Sequence, residues 1–274
     1  MSDFDPATLS VVLACEAMAT RFEFVLCGHE PPLLHAAGEA AIEEIEDTHR
    51  RLSAYDPASV VSAINRAAGA FPVRVDSELL EMLEICNAVH RISGGVFAPA
   101  IGGVLLIDHH ASTAMLSEPS ARLDLGGIGK GFGIDRAAAA LRDAGVASAL
   151  IHGGTSTTLA IGVRPDAKPW RIAVPSEDGS GLTISLSDMA LSRSDRIEGS
   201  SRGHAHIVDP RTSQPARGAL AAVVVHESAA FADAWSTAVV VTGSAPGGIA
   251  WGSLMASGWT LSDTLCNMTD PQET

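Results

Sequence analysis

Leu123-Asp124-Leu125-Gly126-Gly127-Ile128-Gly129-Lys130-Gly131-Phe132 sets four glycines and a lysine between a short apolar run and an Ala-rich stretch. The pattern predicts a strand over Leu123–Leu125 and a helix over Phe132–Asp143. Strand, glycine turn and helix in that order present backbone N–H groups to an anion, and Lys130 adds a cation where an anion would sit. The stretch fits neither common phosphate motif. A P-loop needs Ser or Thr after its lysine, whereas Gly131 follows Lys130, and its first glycine would fall at Asp124. The dinucleotide fingerprint GxGxxG fails because Gly127, Gly129, Gly131 and Gly133 alternate strictly. A tight strand-to-helix turn without a ligand is the plain alternative.

Upstream of the cluster, Thr20–Cys27 alternates like a strand, and Leu33–Leu52 repeats its apolar positions at helical spacing. Tyr55-Asp56-Pro57 breaks the chain, and Ser59 offers an N-cap for a short helix running through Asn65. Asp76–Ile92 reads as a further helix, closed by Gly94-Gly95. The small-residue segment from Ala98 to Ser120 reads as a linker and a junction between two lobes of one 274-residue domain. Downstream, Ala147–His152, Trp170–Val174, Leu182–Leu186 and Leu220–Val225 are strand signals, so the second half is β-rich. Phe231–Val241 fits a helix or a buried strand, and its Ala-Asp-Ala-Trp-Ser-Thr-Ala portion favours the helix.

The bulk numbers narrow the partners. Lys and Arg number 18 against 32 Asp and Glu, giving a formal charge of −14, which repels nucleic acid. An acidic protein that handles a nucleotide needs a cation or a local positive end to offset that repulsion. Cys15, Cys27, Cys86 and Cys266 form no CxxC pair, so neither a zinc knuckle nor a redox dithiol is written here. Val12-Leu13-Ala14-Cys15 superficially resembles the end of a lipoprotein signal. It is preceded by Asp3 and Asp5 instead of basic residues, and its apolar stretch is too short. The chain therefore reads as starting near Met1 in a reducing cytoplasm. No run approaches the roughly 20 apolar residues of a membrane span.

Three further constellations could carry chemistry. Asp233 and Thr237, four residues apart on a helix, share one face and offer two hard oxygen donors suited to Mg²⁺. The alternative is a helix-start Asp and a back-bonded Thr. In His204-Ala205-His206-Ile207-Val208-Asp209-Pro210 alternation would bring His204 and His206 to one side of a strand, where an imidazole suits a general base or a metal ligand. Tyr55, the only tyrosine, lies in a loop that suits a stacking platform, with a partly buried packing residue as the alternative.

Taken in order, these segments resemble the ApbE family of FAD:protein FMN transferases from about Ala17 to Gly243. Met18-Ala19-Thr20 is similar to the family's early Met-Gly-Thr. Leu52-Ser53-Ala54-Tyr55-Asp56-Pro57-Ala58-Ser59 with Asn65 resembles its tyrosine loop, and Ser93-Gly94-Gly95-Val96-Phe97 its Ser-Gly-Gly-Xaa-Phe segment. The 123–132 cluster with Asp135 resembles its most specific motif. Gly153-Gly154, His206 to Thr212 and Ala232 to Ala238 follow in the family's order.

The resemblance implies a mixed α/β (α+β) flavin-transferase fold, with central β-sheets flanked by helices in two intimate lobes. It also implies FAD as donor substrate, Mg²⁺ on the pyrophosphate, and a Thr or Ser hydroxyl of an acceptor flavoprotein as the target. Asp233 and Thr237 match metal ligands, with the Gly129 carbonyl completing the set. Tyr55 matches the residue packed on the isoalloxazine ring, and Met18, Asp124, Gly127, Lys130, Asp135, Gly153 and Gly154 fall in segments lining the nucleotide. His206 matches the histidine of transfer chemistry. Attack by water instead would make the same site an FAD pyrophosphatase, and absence of turnover would leave a flavin-binding protein. The chain departs from the pattern at Ala98-Pro99-Ala100, usually Asp-Pro-Thr, and at Thr155, usually Asp. It departs again at Ser192-Arg193-Ser194, usually of Thr-Ser-Gly type, and at Ser213, usually Gly.

Overall fold

The computed structural model describes residues 9–175, 181–196 and 207–269. His204 and His206 lie outside them. The chain opens with β1 (Leu9–Ala17) and β2 (Thr20–Gly28), paired along their whole length around a two-residue turn at Met18 and Ala19. Both turn residues take positive φ, 48° and 58°. That mirror-image turn matches the strands' twist, but it costs a non-glycine residue strain. β1 was not signalled by the sequence, because as an edge strand its burial does not alternate cleanly.

α1 (Pro31–Leu52) buries Leu34, Ala37, Ala41, Ile45 and Thr48 along one stripe and ends at Ser53. α2 (Val60–Arg66) starts on the Ser59 hydroxyl, which accepts from Ser62 N, and α3 (Ser77–Ile92) starts on the Asp76 carboxylate, which accepts from Leu79 N. Between and beyond them β3 (Val73–Arg74), β5 (Leu105–Asp108) and β6 (Thr113–Leu116) form a small sheet, and β4 (Ala100–Ile101) pairs with β7 (Arg122–Leu123). Segment 98–120 is therefore not a bare linker. Its Leu105, Ala114 and Leu116 are buried with α3, which small size and turn residues concealed in the sequence.

α4 (Gly129–Asp143) begins three residues earlier than its Ala-rich pattern implied, so Lys130 and Gly131 belong to its first turn. After it come β8 (Ser148–Gly153), β9 (Thr157–Ile161), β10 (Trp170–Val174), β11 (Leu182–Leu186) and β12 (Ala190–Asp195). The short hairpin β13 (Val208–Asp209) and β14 (Gln214–Pro215) precedes β15 (Ala221–His226) and α5 (Ala229–Thr242). β16 (Ala250–Met255), β17 (Gly258–Leu261) and α6 (Asp263–Cys266) complete the described chain. One eight-stranded antiparallel sheet runs β1-β2-β8-β9-β12-β15-β16-β17. Helices cover one face of it and the β10–β11 hairpin the other, giving the mixed α+β architecture.

α5 resolves the ambiguity of residues 231–241. It is a helix that is buried nearly all round, with Trp235 2% exposed, because it lies between the large sheet and the α3 region. That is why its pattern shows no polar face. Each such large apolar side chain removed from water contributes about 1.5–3 kcal/mol. No helix among the described residues is long and apolar enough to cross a membrane.

Candidate functional site

The glycines at the start of α4 are there for closeness. A Cβ on Gly131 would lie 2.2 Å from the carbonyl oxygen of Ala229, and one on Gly127 would lie 3.3 Å from Thr237 Oγ1. The first turns of α4 and α5 can therefore approach backbone to backbone. Ile128, at the N-cap of α4, supplies no side-chain bond to the helix's free N–H groups. Asp233 of α5 supplies it instead: its Oδ2 accepts from Gly131 N at 3.1 Å. The converse bond is also made. Asp135 of α4 accepts from Ala229 N at 2.7 Å, Ala230 N at 2.9 Å and Ser228 Oγ at 2.8 Å, so it caps α5. Burial pushes the Asp135 carboxyl above its ordinary value, while those three donors pull it back.

Around Asp233 lies a cluster of hydroxyls. Ser192 donates to Asp233 Oδ1 at 3.1 Å, Thr157 Oγ1 lies 3.2 Å from Ser192 Oγ, and Ser194 Oγ lies 2.7 Å from Ser236 Oγ and 3.4 Å from Thr237 Oγ1. Asp233 is 2% exposed and Ser192 and Ser236 are fully buried. Thr237 donates to the Asp233 carbonyl at 3.3 Å, so the back-bonded geometry is present, and its oxygen lone pairs remain available. Asp233, by contrast, is not at its own helix start. Carboxylate and hydroxyl oxygens are the donors that a small hard cation takes, and the site residues fit Mg²⁺ in that sense. Among the described residues no three His, Cys, Asp or Glu side chains group as a metal cage.

At the other end, the β1–β2 turn leans on α1. His49 Nδ1 accepts from Met18 N at 3.2 Å. A Cβ on Gly129 would lie 4.0 Å from Met18 Sδ and 3.7 Å from Leu52 Cδ1, which joins the turn, the end of α1 and the start of α4. Gly154, at φ 63°, donates its N–H to Arg21 O at 2.8 Å, and a Cβ there would strike Thr20 Oγ1 at 2.2 Å. Gly153 is wedged against Ile134 and Phe22. Asp124 bends the entry to the glycine cluster by accepting from Gly126 N at 2.9 Å. Tyr55 is 96% exposed, so the buried alternative for it does not hold. Its loop is shaped by Ser53 Oγ, which accepts from Tyr55 N at 3.3 Å and Asp56 N at 3.2 Å.

The structure thus gathers Gly127, Gly131, Asp233 and Thr237 at one point, with Gly129 and Met18 beside Leu52. Asp135 is directed at the start of α5, and His206 lies outside the described residues. Ser192, Ser194 and Ser236 were missed as site residues. The signal was there in Ala190-Leu191-Ser192-Arg193-Ser194, where two hydroxyls alternate onto one face of a strand. Ser213 holds φ 57°, the left-handed conformation that a glycine adopts without strain.

The sequence pattern of the ApbE family matches residues 18–108 and 104–252. A protein of Rhodobacter capsulatus described as FAD:protein FMN transferase is 30% identical over 234 residues, which cover 71% of this chain and 44% of that protein. One of the same description from Treponema pallidum is 28% identical over 262 residues, covering 77% and 72%. The chain thus spans less than half of the Rhodobacter relative. Among solved structures, an ApbE protein of Thermotoga maritima aligns with TM-score 0.84 at 24% identity, covering 96% of this chain and all of that one. The flavin transferase ApbE of Vibrio cholerae aligns with TM-score 0.81 at 20% identity, covering 95% and 99%.

Proposed function

This chain belongs to the ApbE family, and on that premise we propose that it moves FMN from FAD to a Thr or Ser hydroxyl of an acceptor protein, releasing AMP, with Mg²⁺ bound at Asp233 and Thr237. The observation that carries the reading is the meeting of those two residues with the glycine bend: Asp233 on Gly131 N at 3.1 Å, and Thr237 against Gly127. A diphosphate placed there faces the N-terminal end of α4, whose N-cap Ile128 supplies no side-chain bond. It also lies beside Lys130 on the first turn of α4. That helix end and the lysine offset the repulsion from a chain of net charge −14.

When bound, Mg²⁺ would supply charge neutralisation at the pyrophosphate. Asp233 and Thr237 would hold it, with the Gly129 carbonyl as third protein donor. Ser192 orients Asp233, so the carboxylate keeps one direction while the site fills. In the transfer, the acceptor oxygen bonds to the FMN phosphorus as that phosphorus loses its bond to the oxygen leaving with AMP. The hydroxyl proton passes to a base, for which His206 is our candidate. Tyr55 offers an exposed ring for the isoalloxazine to stack on, and Met18, Gly153 and Gly154 are our further candidates for lining the nucleotide. Asp135 contributes by holding α5 in place. We place the reaction in a reducing cytoplasm, where the four free thiols stay unpaired.

One assay separates the outcomes. Purified protein, FAD and Mg²⁺ are incubated with and without a Thr-bearing acceptor domain, and both AMP and acid-stable fluorescence on the acceptor are followed. Acceptor-dependent AMP and a fluorescent acceptor band support transfer. AMP without acceptor indicates hydrolysis, and FAD binding without AMP indicates a carrier.

A further inference from the structure

The last turn of α1 touches the Met18 turn, the start of α4 and the Tyr55 loop. His49 holds the Met18 turn, Leu52 packs on Gly129, and Ser53 shapes the loop that carries Tyr55. Between His49 and Leu52 stands Arg51, whose side chain is 24% exposed and meets three carboxylates: Asp76 at 2.5 Å, Glu78 at 3.0 Å and Asp47 at 3.4 Å. Glu78 is shared. Its other oxygen meets Arg136 of α4 at 2.7 Å, and Arg136 reaches back to Glu44 of α1 at 3.2 Å. Two arginines and four carboxylates thus tie the end of α1 to the start of α3 and the middle of α4. An isolated exposed ion pair holds little, but a part-buried guanidinium shared among several carboxylates fixes direction as well as position.

We propose that Arg51 is a positioning residue for the flavin-ring end of the site: the Arg51–Glu78–Arg136 clamp sets the last turn of α1, and through it the Met18 turn and the Tyr55 loop. The inference rests on the proposed FAD site. It concerns the ring more than the diphosphate: Asp233, Thr237 and the hydroxyl cluster bond to Gly131 and to one another, and the clamped turn reaches that end through Leu52 on Gly129. Loss of the clamp therefore weakens FAD more than a ligand without the ring.

The test compares FAD with ADP, which keeps the diphosphate and lacks the flavin. In Arg51→Met, affinity for FAD falls about tenfold, the size expected of a mispositioned aromatic contact. Inhibition by ADP and kcat at saturating FAD stay within about twofold, since remote binding contributes to KM and not to the bond-breaking step. Arg51→Lys restores part of the affinity at most, because an ammonium lacks the guanidinium fork. Glu78→Gln, a milder change, gives the same pattern should Arg51→Met fold poorly, and the double variant is no worse than the more affected single. An unchanged FAD-to-ADP ratio in folded Arg51→Met and Glu78→Gln overturns the clamp while leaving the proposed function standing. Wild-type protein that neither binds FAD nor releases AMP overturns both.

Discussion

At the diphosphate end of the candidate site the decisive side chain, Asp233, is 2% exposed and is met by a backbone N–H and a buried serine. At the ring end Tyr55 is 96% exposed and only its backbone is held. The first end is built into the packing of two helices against a sheet; the second hangs from one turn of α1 and a set of ion pairs. Stability and binding are accordingly divided. A change at the buried end is expected to disturb the fold together with the chemistry, whereas a change to the Tyr55 ring is expected to touch binding alone.

Replacing Asp233 tests the buried end most severely. Asp233→Ala is expected to lower AMP release by about 10²–10³-fold, the scale on which one strong electrostatic contact to a reacting phosphate acts. It should also destabilise by about 1–3 kcal/mol, because Gly131 N–H and the Ser192 hydroxyl lose their acceptor inside the protein. Normal thermal unfolding with lost activity would separate the two roles that the geometry joins. Gly131→Ala attacks the same end by shape. Helix propensity alone favours alanine by about 1 kcal/mol. The added Cβ would meet backbone at 2.2 Å, which nothing flexible can relieve. Overpacking should win, with a net loss of about 1–3 kcal/mol and a midpoint lowered by several degrees.

Tyr55→Ala sharpens the contrast from the other side. Affinity for FAD, read from quenching of flavin fluorescence, should fall about tenfold while stability changes by less than about 0.5 kcal/mol. A large drop in thermal midpoint would show the exposed end to be structural after all. The smallest effect concerns pH. Burial depresses His152 and His226 below their ordinary value of 6.5. Their contribution to stability is therefore present above about pH 6.5 and is lost as pH falls through the depressed values. Asp135 titrates in the opposite sense, since its raised value favours the folded protein as acid is added. Midpoints measured between pH 7.5 and 5 should fall, and fall less in His152→Gln. A flat wild-type profile would contradict this.

How much of this was legible in the residues depends on the range of the contact that decides each feature. α1, α3 and the strands over 20–28, 170–174 and 182–186 follow local periodicity, and Ser59 and Asp76 cap their helices as such residues do. The early start of α4 was not legible, because glycines read as a turn unless one knows that Ala229 lies 2.2 Å from where a Cβ would stand. Segment 98–120 read as a linker because its strands are two to four residues long. The pairing of Asp233 with Thr237 could be read from a four-residue spacing. Its convergence with Gly131 spans 102 residues, and the Ser192 contact spans 41. Glu78 could not be read at all, since it is an ordinary first-turn acid whose two arginines come from different helices.

The exchange of caps between α4 and α5 also governs how the protein comes into being. Asp135 leaves the ribosome about ninety residues before the amides it will hold, and Gly131 waits about a hundred residues for its carboxylate. Until Asp233 is made, the first turn of α4 has no acceptor from α5 and no wall opposite it. A nascent or truncated chain ending before α5 therefore lacks the meeting of helices on which the proposed diphosphate site rests. The caps that the two helices exchange are made together, when α5 meets α4.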